Sequence, residues 1–229
     1  MAFLFLLNPT PGIFQGDSLT ISVKAEPETK IHLTTPSATK IYAMPEQSAQ
    51  QTLNVKLEEG SYLEYLPEPL IPFKGARLAQ RTWVNMARGT TLVLGEVVLP
   101  GRVAKGENFA FHLMERRLTV TGPDGRPLFH EASLLTPQTL RPQGRALLTP
   151  EFSVMGTLVI ISPCQERGGL REQLRSMVLP SITDRGNAMI AVSDLCDGIG
   201  LVIKAVSKDS KTISNMFRDV AKIARRYFL

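Results

Sequence analysis

Three stretches of the chain alternate apolar and polar residues on either side of a tight turn. Leu19, Ile21 and Val23 point one way and Thr20, Ser22 and Lys24 the other; after Glu26-Pro27-Glu28 the pattern resumes at Ile31, His32 and Leu33. Leu53, Val55 and Leu57 alternate, Glu59-Gly60 turns, and Leu63 and Tyr65 resume. Val84 and Met86 alternate, Arg88-Gly89 turns, and Leu92 and Leu94 resume. A period of two marks half-buried strands. Superposing Ile31, Leu63 and Leu92 gives offsets of 32 and 29 residues, a repeat of strand, turn and strand joined by longer return segments. Such units bury their apolar sides only against neighbouring layers. The prediction is a mainly β protein, a large layered β-sandwich or a helically wound β structure, with two helices in the C-terminal part.

The return segments are irregular. The first, Thr34 to Tyr42, clusters hydroxyls ahead of Lys40 and Tyr42. The second lies within Leu63 to Arg81, where Pro67, Pro69 and Pro72 bend a strand before a turn at Lys74-Gly75. The third runs from Gly95 to Arg102 and on through Gly106, Glu107 and Phe109. Ala2 to Leu7 reads as a first strand. Gly12 to Gly16 reads as a tight turn, because no Gly-Lys-Ser/Thr follows to make a phosphate loop. Phe111 to Val120 reads as a strand pair, Leu128 to Glu131 as a strand, and Thr136 to Thr149 as a surface connection.

The texture changes after Phe152. Met155 to Ile161 is a continuous apolar strand. Leu170, Leu174, Met177 and Val178 recur at helical spacing between Gly168-Gly169 and Pro180. Ala188 to Val192 and Leu201 to Val206 flank a turn at Asp197-Gly198. Asp209 or Ser210 caps a closing helix with Ile213, Met216, Phe217, Val220, Ile223 and Ala224 as its apolar stripe. Residues 1–150 are therefore expected to form the main β body. Residues 151–229 are expected to add strand, helix, strand, strand and helix packed on the same body, the helices covering its exposed part.

Composition narrows the classes. The chain has 229 residues, 43% of them apolar, enough for a substantial core. Glycine and proline together number 33 (17 and 16), which favours many turns over long helices. The net charge of +5 is scattered and has no aromatic-rich basic block, so nucleic acid is not the expected partner. MAFLFLL is apolar for only seven residues and has no basic region or cleavage site, so it reads as a strand and not a signal peptide. No run reaches the roughly 20 apolar residues of a membrane span. Cys164 and Cys196 stand alone and suit a reducing compartment. The expectation is a soluble cytoplasmic protein.

Candidate chemistry is sparse. His32, His112 and His130 have no partner at metal-site spacing; Glu64, Glu68, His112 and His130 are the weak metal candidates. There is no G-x-S-x-G elbow and no H-E-x-x-H. Among Glu64, Glu68, Glu96, Glu107 and Glu115 no spacing singles out a glycosidase-like pair. Cys164 follows a strand with no base nearby in sequence. The leading class is a β-rich interaction protein without catalytic activity; a hydrolytic enzyme with a β fold is the alternative.

The return segments also carry a family resemblance. LTTPSATKIY at Leu33 to Tyr42, LEYLPEPLIPFKGARLAQRT at Leu63 to Thr82 and GRVAKGENF at Gly101 to Phe109 resemble three blocks of the urease accessory protein D family, called H in some bacteria. NPTPGIFQGD at Asn8 to Asp17 is similar to that family's Pro-Gly turn, with Thr10, Ile13 and Gln15 as departures. The resemblance implies a fold of stacked or sandwiched sheets with helices beside them. It implies a non-enzymatic maturation factor that binds the urease apoprotein and a helical urease accessory protein (UreF-like), which recruits a nickel-carrying accessory GTPase (UreG-like). No tightly bound cofactor is implied, only transient nickel passing through an internal channel. By the same resemblance Thr35, Ser37, Lys40, Tyr42, Glu64, Glu68, Lys74, Arg77, Glu96, Arg102 and Glu107 are candidates for a partner face or channel mouth. Glu64 or Glu68 is expected to lie near the nickel path.

Overall fold

The offsets of the sequence repeat reappear as strand register. In the computed structural model, β3 (Lys30–Thr34), β6 (Tyr62–Tyr65) and β9 (Thr91–Val98) are parallel neighbours; Ile31 pairs with Leu63, and Leu63 with Leu92. In a second sheet β2 (Ser18–Ala25), β5 (Ala49–Leu57) and β8 (Arg77–Met86) are parallel in the same way, with Ala25, Leu57 and Met86 in one row. The chain therefore winds three times. Each winding runs along the second sheet, turns tightly, crosses the first sheet and comes back through a return segment. Residues 1–140, 152–162 and 187–228 are described, together with Glu172 and Ser176.

The tight turns stack with the strands. Each places one residue in the left-handed region: Glu28 (φ 58°), Gly60 (φ 67°) and Gly89 (φ 70°). The Glu28 N–H donates to Glu59 O at 2.9 Å and the Gly60 N–H to Arg88 O at 3.2 Å. Gly60 adopts its left-handed backbone angle without the steric penalty that a Cβ would bring. The return segments add short parallel strands, β4 (Thr39–Ile41) and β7 (Leu70–Pro72). Within Leu63–Arg81 the chain leaves β6, bends at Pro67 and Pro69, forms β7, and turns at Gly75 (φ 77°) into β8 of the other sheet.

The remaining strands complete two facing sheets. β1 (Ala2–Phe5) pairs parallel with β3 at one edge. β10 (Leu113–Thr121) is one strand, parallel to β8, where the sequence pattern read as a pair; its residues from Leu113 to Thr121 stay in register with Arg77 to Asn85 without a break. β11 (Pro127–Leu135) returns antiparallel to β10. β12 (Val154–Ile161), β13 (Ala188–Asp194) and β14 (Gly200–Ser207) extend the first sheet antiparallel beyond β9. The orders are β1-β3-β6-β9-β12-β14-β13, with β4 and β7 beside it, and β11-β10-β8-β5-β2. Leu33, Leu53, Val55, Leu63, Val84, Leu92, Val120 and Val159 fill the space between the sheets.

One long helix, α1 (Ser210–Phe228), lies on the outer face of the first sheet. Asp209 caps it: Oδ1 accepts from the Thr212 N–H and Oδ2 from the Thr212 hydroxyl, both at 2.9 Å. Ile213, Phe217, Val220, Ala221 and Ala224 are buried against Val93, Val97, Leu158 and Ile203. Gly156 is bare under this contact. A Cβ there would meet Ile213 Cγ2 at 2.5 Å and Phe217 Cζ at 3.0 Å. Of the two expected helices, the described residues contain this one in full. Leu170, Leu174, Met177 and Val178 of the other lie outside the described residues, as do Cys164 and most of the connection after Leu140.

Candidate functional site

Strand alternation sends apolar side chains into the space between the sheets, but one level of that space is polar. In the second sheet Gln51, Gln80, Arg116 and Ser133 form one cross-strand row. Facing it, Glu96, Thr157 and Lys204 form a row across the first sheet. Arg116 Nη2 pairs with Glu96 Oε2 across the gap, and Lys204 Nζ with Glu131 Oε1. Lys204 Nζ also donates to Thr157 Oγ1 at 3.0 Å, and Gln80 Nε2 to Gln51 Oε1 at 3.2 Å.

Three cavities with shared walls run along this level. A chamber of about 300 Å³ reaches from Leu7, Asn8 and Pro9 inward to Gln80, Thr82 and Glu96. A constriction of about 30 Å³ is walled by Gln80, Thr82, Glu96, Arg116, Glu131 and Thr157. A third chamber of about 440 Å³ continues past Arg116, Glu131 and Thr157 to Met189 and Lys204. The exposed side chains of Leu7 and Met189 mark the two ends at the surface. Glu96 and Arg116 stand at the constriction with side chains 12% and 19% exposed. Glu96 Oε1 and Arg116 Nε are buried and, among the described residues, without a hydrogen-bond partner. Burial pulls the Arg116 guanidinium down to about 10, against the opposing pull of Glu131, and leaves it charged at neutral pH.

A second buried charge cluster lies on the other face of the first sheet, beneath α1. Glu64 is fully buried. Its Oε1 accepts from Tyr62 Oη and Arg225 Nε, both at 2.6 Å. Its Oε2 contacts His32 Nδ1 at 2.8 Å and accepts from Arg225 Nη2. Burial alone would push the Glu64 carboxyl up; the bonds from Arg225, His32 and Tyr62 outweigh it and hold the group below its ordinary range. Burial first, then the charge of Glu64, pushes the Tyr62 phenol up. The bonds to Glu64 raise Arg225. Phe3 leans on the His32 ring, with centroids 5.2 Å apart. This constellation anchors α1 to the wound body.

The other sequence candidates scatter between these clusters and the surface. Thr35 lines the 300 Å³ chamber; its hydroxyl accepts from the Glu68 N–H at 3.0 Å and donates to Ser37 O at 3.2 Å. The Glu68 carboxylate turns outward to Arg218 Nη2 of α1, at 2.7 Å. Ser37, Lys40 and Lys74 are exposed. Tyr42 is sandwiched by Phe14 (4.5 Å, stacked) and Phe73 (4.9 Å, edge-on). Arg102 lies 3.9 Å over Phe73 and grips the Glu107 carboxylate through Nε and Nη2; Glu107 Oε2 also accepts from the Lys74 N–H. Arg77 Nε donates to Met44 O at 3.2 Å. Thr35 and Glu96 are the candidates on the walls of the three cavities, whereas Glu64 points to α1. Strand pairing does not bring His112 and His130 together. His130 pairs with Thr119, seven residues beyond His112, which separates them by about 20 Å. Among the described residues no cluster of three or more His, Cys, Asp or Glu side chains is placed to hold a metal.

Arg116, Glu131, Lys204 and Thr157 escaped the sequence reading. Their signal was phase: Arg116 falls in step with Met114, Leu118 and Val120, an ionisable group on the apolar side of its strand. Nothing local in the sequence marks Arg225 as the partner of Glu64. His32 opposite Glu64 follows directly from the 32-residue offset.

A wound two-sheet β body, a helix laid on one sheet and a charged level with cavities between the sheets define a mainly β protein. The family model described as UreD urease accessory protein matches residues 1–229. The chain belongs to the UreD family of urease accessory proteins. It is 34% identical to urease accessory protein UreD of Haloarcula marismortui over 92% of this chain and 68% of that protein. It is 29% identical to UreD of Photorhabdus laumondii over 100% of this chain and 70% of that one. Identity to UreD 2 of Brucella canis is 32%, over 96% and 72% of the two chains.

Proposed function

We propose that this chain is a non-enzymatic urease maturation factor of the cytoplasm. It binds the urease apoprotein and a helical accessory protein that recruits a nickel-carrying GTPase, and it conducts nickel to urease between its two sheets. Membership of the UreD family and the names of the relatives support the role in urease maturation. One observation supports the conduit: the string of three cavities, with Glu96 at its constriction.

The chemistry suits passage. A conduit for a divalent cation needs oxygen donors in small number, because a complete ligand cage would trap the ion. The walls offer Gln51, Gln80, Thr82 and Thr157 as neutral oxygens and Glu96 and Glu131 as carboxylates. Each carboxylate has an internal cation beside it, which keeps the level close to neutral when empty.

The test is Glu96→Gln, co-expressed with the urease subunits and the partner factors. The expected result is full co-purification of the complex with severalfold less nickel in urease. Full nickel occupancy with an intact complex contradicts the conduit.

A further inference from the structure

We propose that Arg116 is a displaceable internal counter-ion: it occupies Glu96 while the constriction is empty and moves to Glu131 when a divalent cation takes its place. The inference deepens the conduit reading and rests on it for the cation's arrival.

Glu96 and Arg116 belong to opposite sheets, so their contact closes the constriction from wall to wall. The free space there is about 30 Å³, room for roughly one water. A cation cannot share that space with a guanidinium of the same sign, so passage requires Arg116 to leave. Removing the arginine without replacement would strand a buried carboxylate, which is strongly unfavourable. The arriving cation supplies the replacement.

The structure offers the departing side chain a destination. Ser133 sits opposite Arg116 on β11, and Glu131 lies two residues along the same strand on the same inward side. Both Arg116 and Glu131 border the constriction and the 440 Å³ chamber, so the guanidinium has space to turn in that direction. Glu131 is held by Lys204, whose side chain is 46% exposed and which retains Thr157 Oγ1 as a partner. Lysine keeps its hydration when it yields Glu131 to a bidentate arginine. The unpartnered Arg116 Nε and Glu96 Oε1 show that their pairing leaves hydrogen-bonding capacity unused on both sides.

The test uses the full chain and nickel chloride in equilibrium dialysis. Arg116→Met removes the charge and keeps much of the volume. An opposite charge changes a carboxylate's proton affinity by about tenfold or more, so nickel should bind the variant about tenfold more tightly than wild type. Arg116→Met/Glu96→Gln should lose that gain. A folded Arg116→Met with wild-type nickel affinity overturns the proposal. If Arg116→Met fails to fold alone, nickel should restore its thermal transition; a variant that stays unfolded with nickel, while the double variant folds, also overturns it. Tight binding by Arg116→Met together with undiminished urease nickel in Glu96→Gln would leave the counter-ion standing and remove the conduit. The opposite pair of results would remove only the counter-ion.

Discussion

Arg225 Nε lies 2.6 Å from Glu64 Oε1, although 161 residues separate the two in sequence. The contact joins the last turn of α1 to the middle winding of the β body, and Glu64 has no access to solvent. Breaking a buried ion pair from one side leaves the remaining charge uncompensated, at a cost of about 3–5 kcal/mol. Arg225→Ala is therefore expected to lower the unfolding free energy by about 3 kcal/mol, allowing for the partial exposure of the arginine. Urea denaturation followed by circular dichroism checks it. A loss below about 1 kcal/mol, the range of surface pairs, would mean the pair does not hold α1.

The same carboxylate gives a pH signature. Its folded value is held below the ordinary 4.5 of an unfolded glutamate. The stabilisation is then complete above pH 4.5 and is lost as pH falls through the folded value. Thermal transitions recorded from pH 7 to pH 3 should fall more steeply below 4.5 in wild type than in Glu64→Gln. Glu58 and Glu107 are depressed too and remain in both proteins, so the difference between the curves isolates Glu64. Parallel curves would remove the assignment.

Helix docking depends on absent atoms as well. Gly156→Ala places a methyl 2.5 Å from Ile213 Cγ2. Overpacking of this kind costs about 1–3 kcal/mol, and the smaller conformational freedom of alanine in the unfolded chain offsets only part of it. The variant should be less stable than wild type. Ile213→Ala should cost less in the Gly156→Ala background than alone, since it removes the clashing group. Additive effects would show that the helix does not bear on Gly156.

The wound body was legible because each winding repeats the same demands. Alternating residues must face the same gap, and each tight turn needs a backbone that Gly60 and Gly89 supply easily. Those constraints recur at offsets of 32 and 29 residues, and the strands pair at the same offsets. Asp209 and the apolar stripe of α1 were legible because capping and helical periodicity are local. The strand β10 was misread as two because its interleaved charges resembled a turn; Glu115 and Arg117 face outward, while Arg116 faces the gap.

The charged level was harder to read, because its partners come from different sheets. Glu96 was named, but nothing local joins it to Arg116, and Glu131 meets Lys204 across 73 residues. The surroundings of Glu64 were hidden for a related reason. Its strand carries Leu63 and Tyr65 towards the gap and Tyr62 and Glu64 towards the helix. Only the placement of α1 decides which side a cation can reach.

If nickel travels between the sheets, closing the path without touching a charge should stop it. Thr82 borders both the first chamber and the constriction and takes part in neither ion pair. Thr82→Phe should narrow the path, while Trp83→Phe, on the exposed side of the same strand, serves as control. The measurement is nickel per urease active site after co-expression, with the amount of assembled complex determined in parallel. Both variants should form intact complexes, with severalfold less nickel for Thr82→Phe and no loss for Trp83→Phe. Full nickel loading by an assembled, folded Thr82→Phe protein would contradict it.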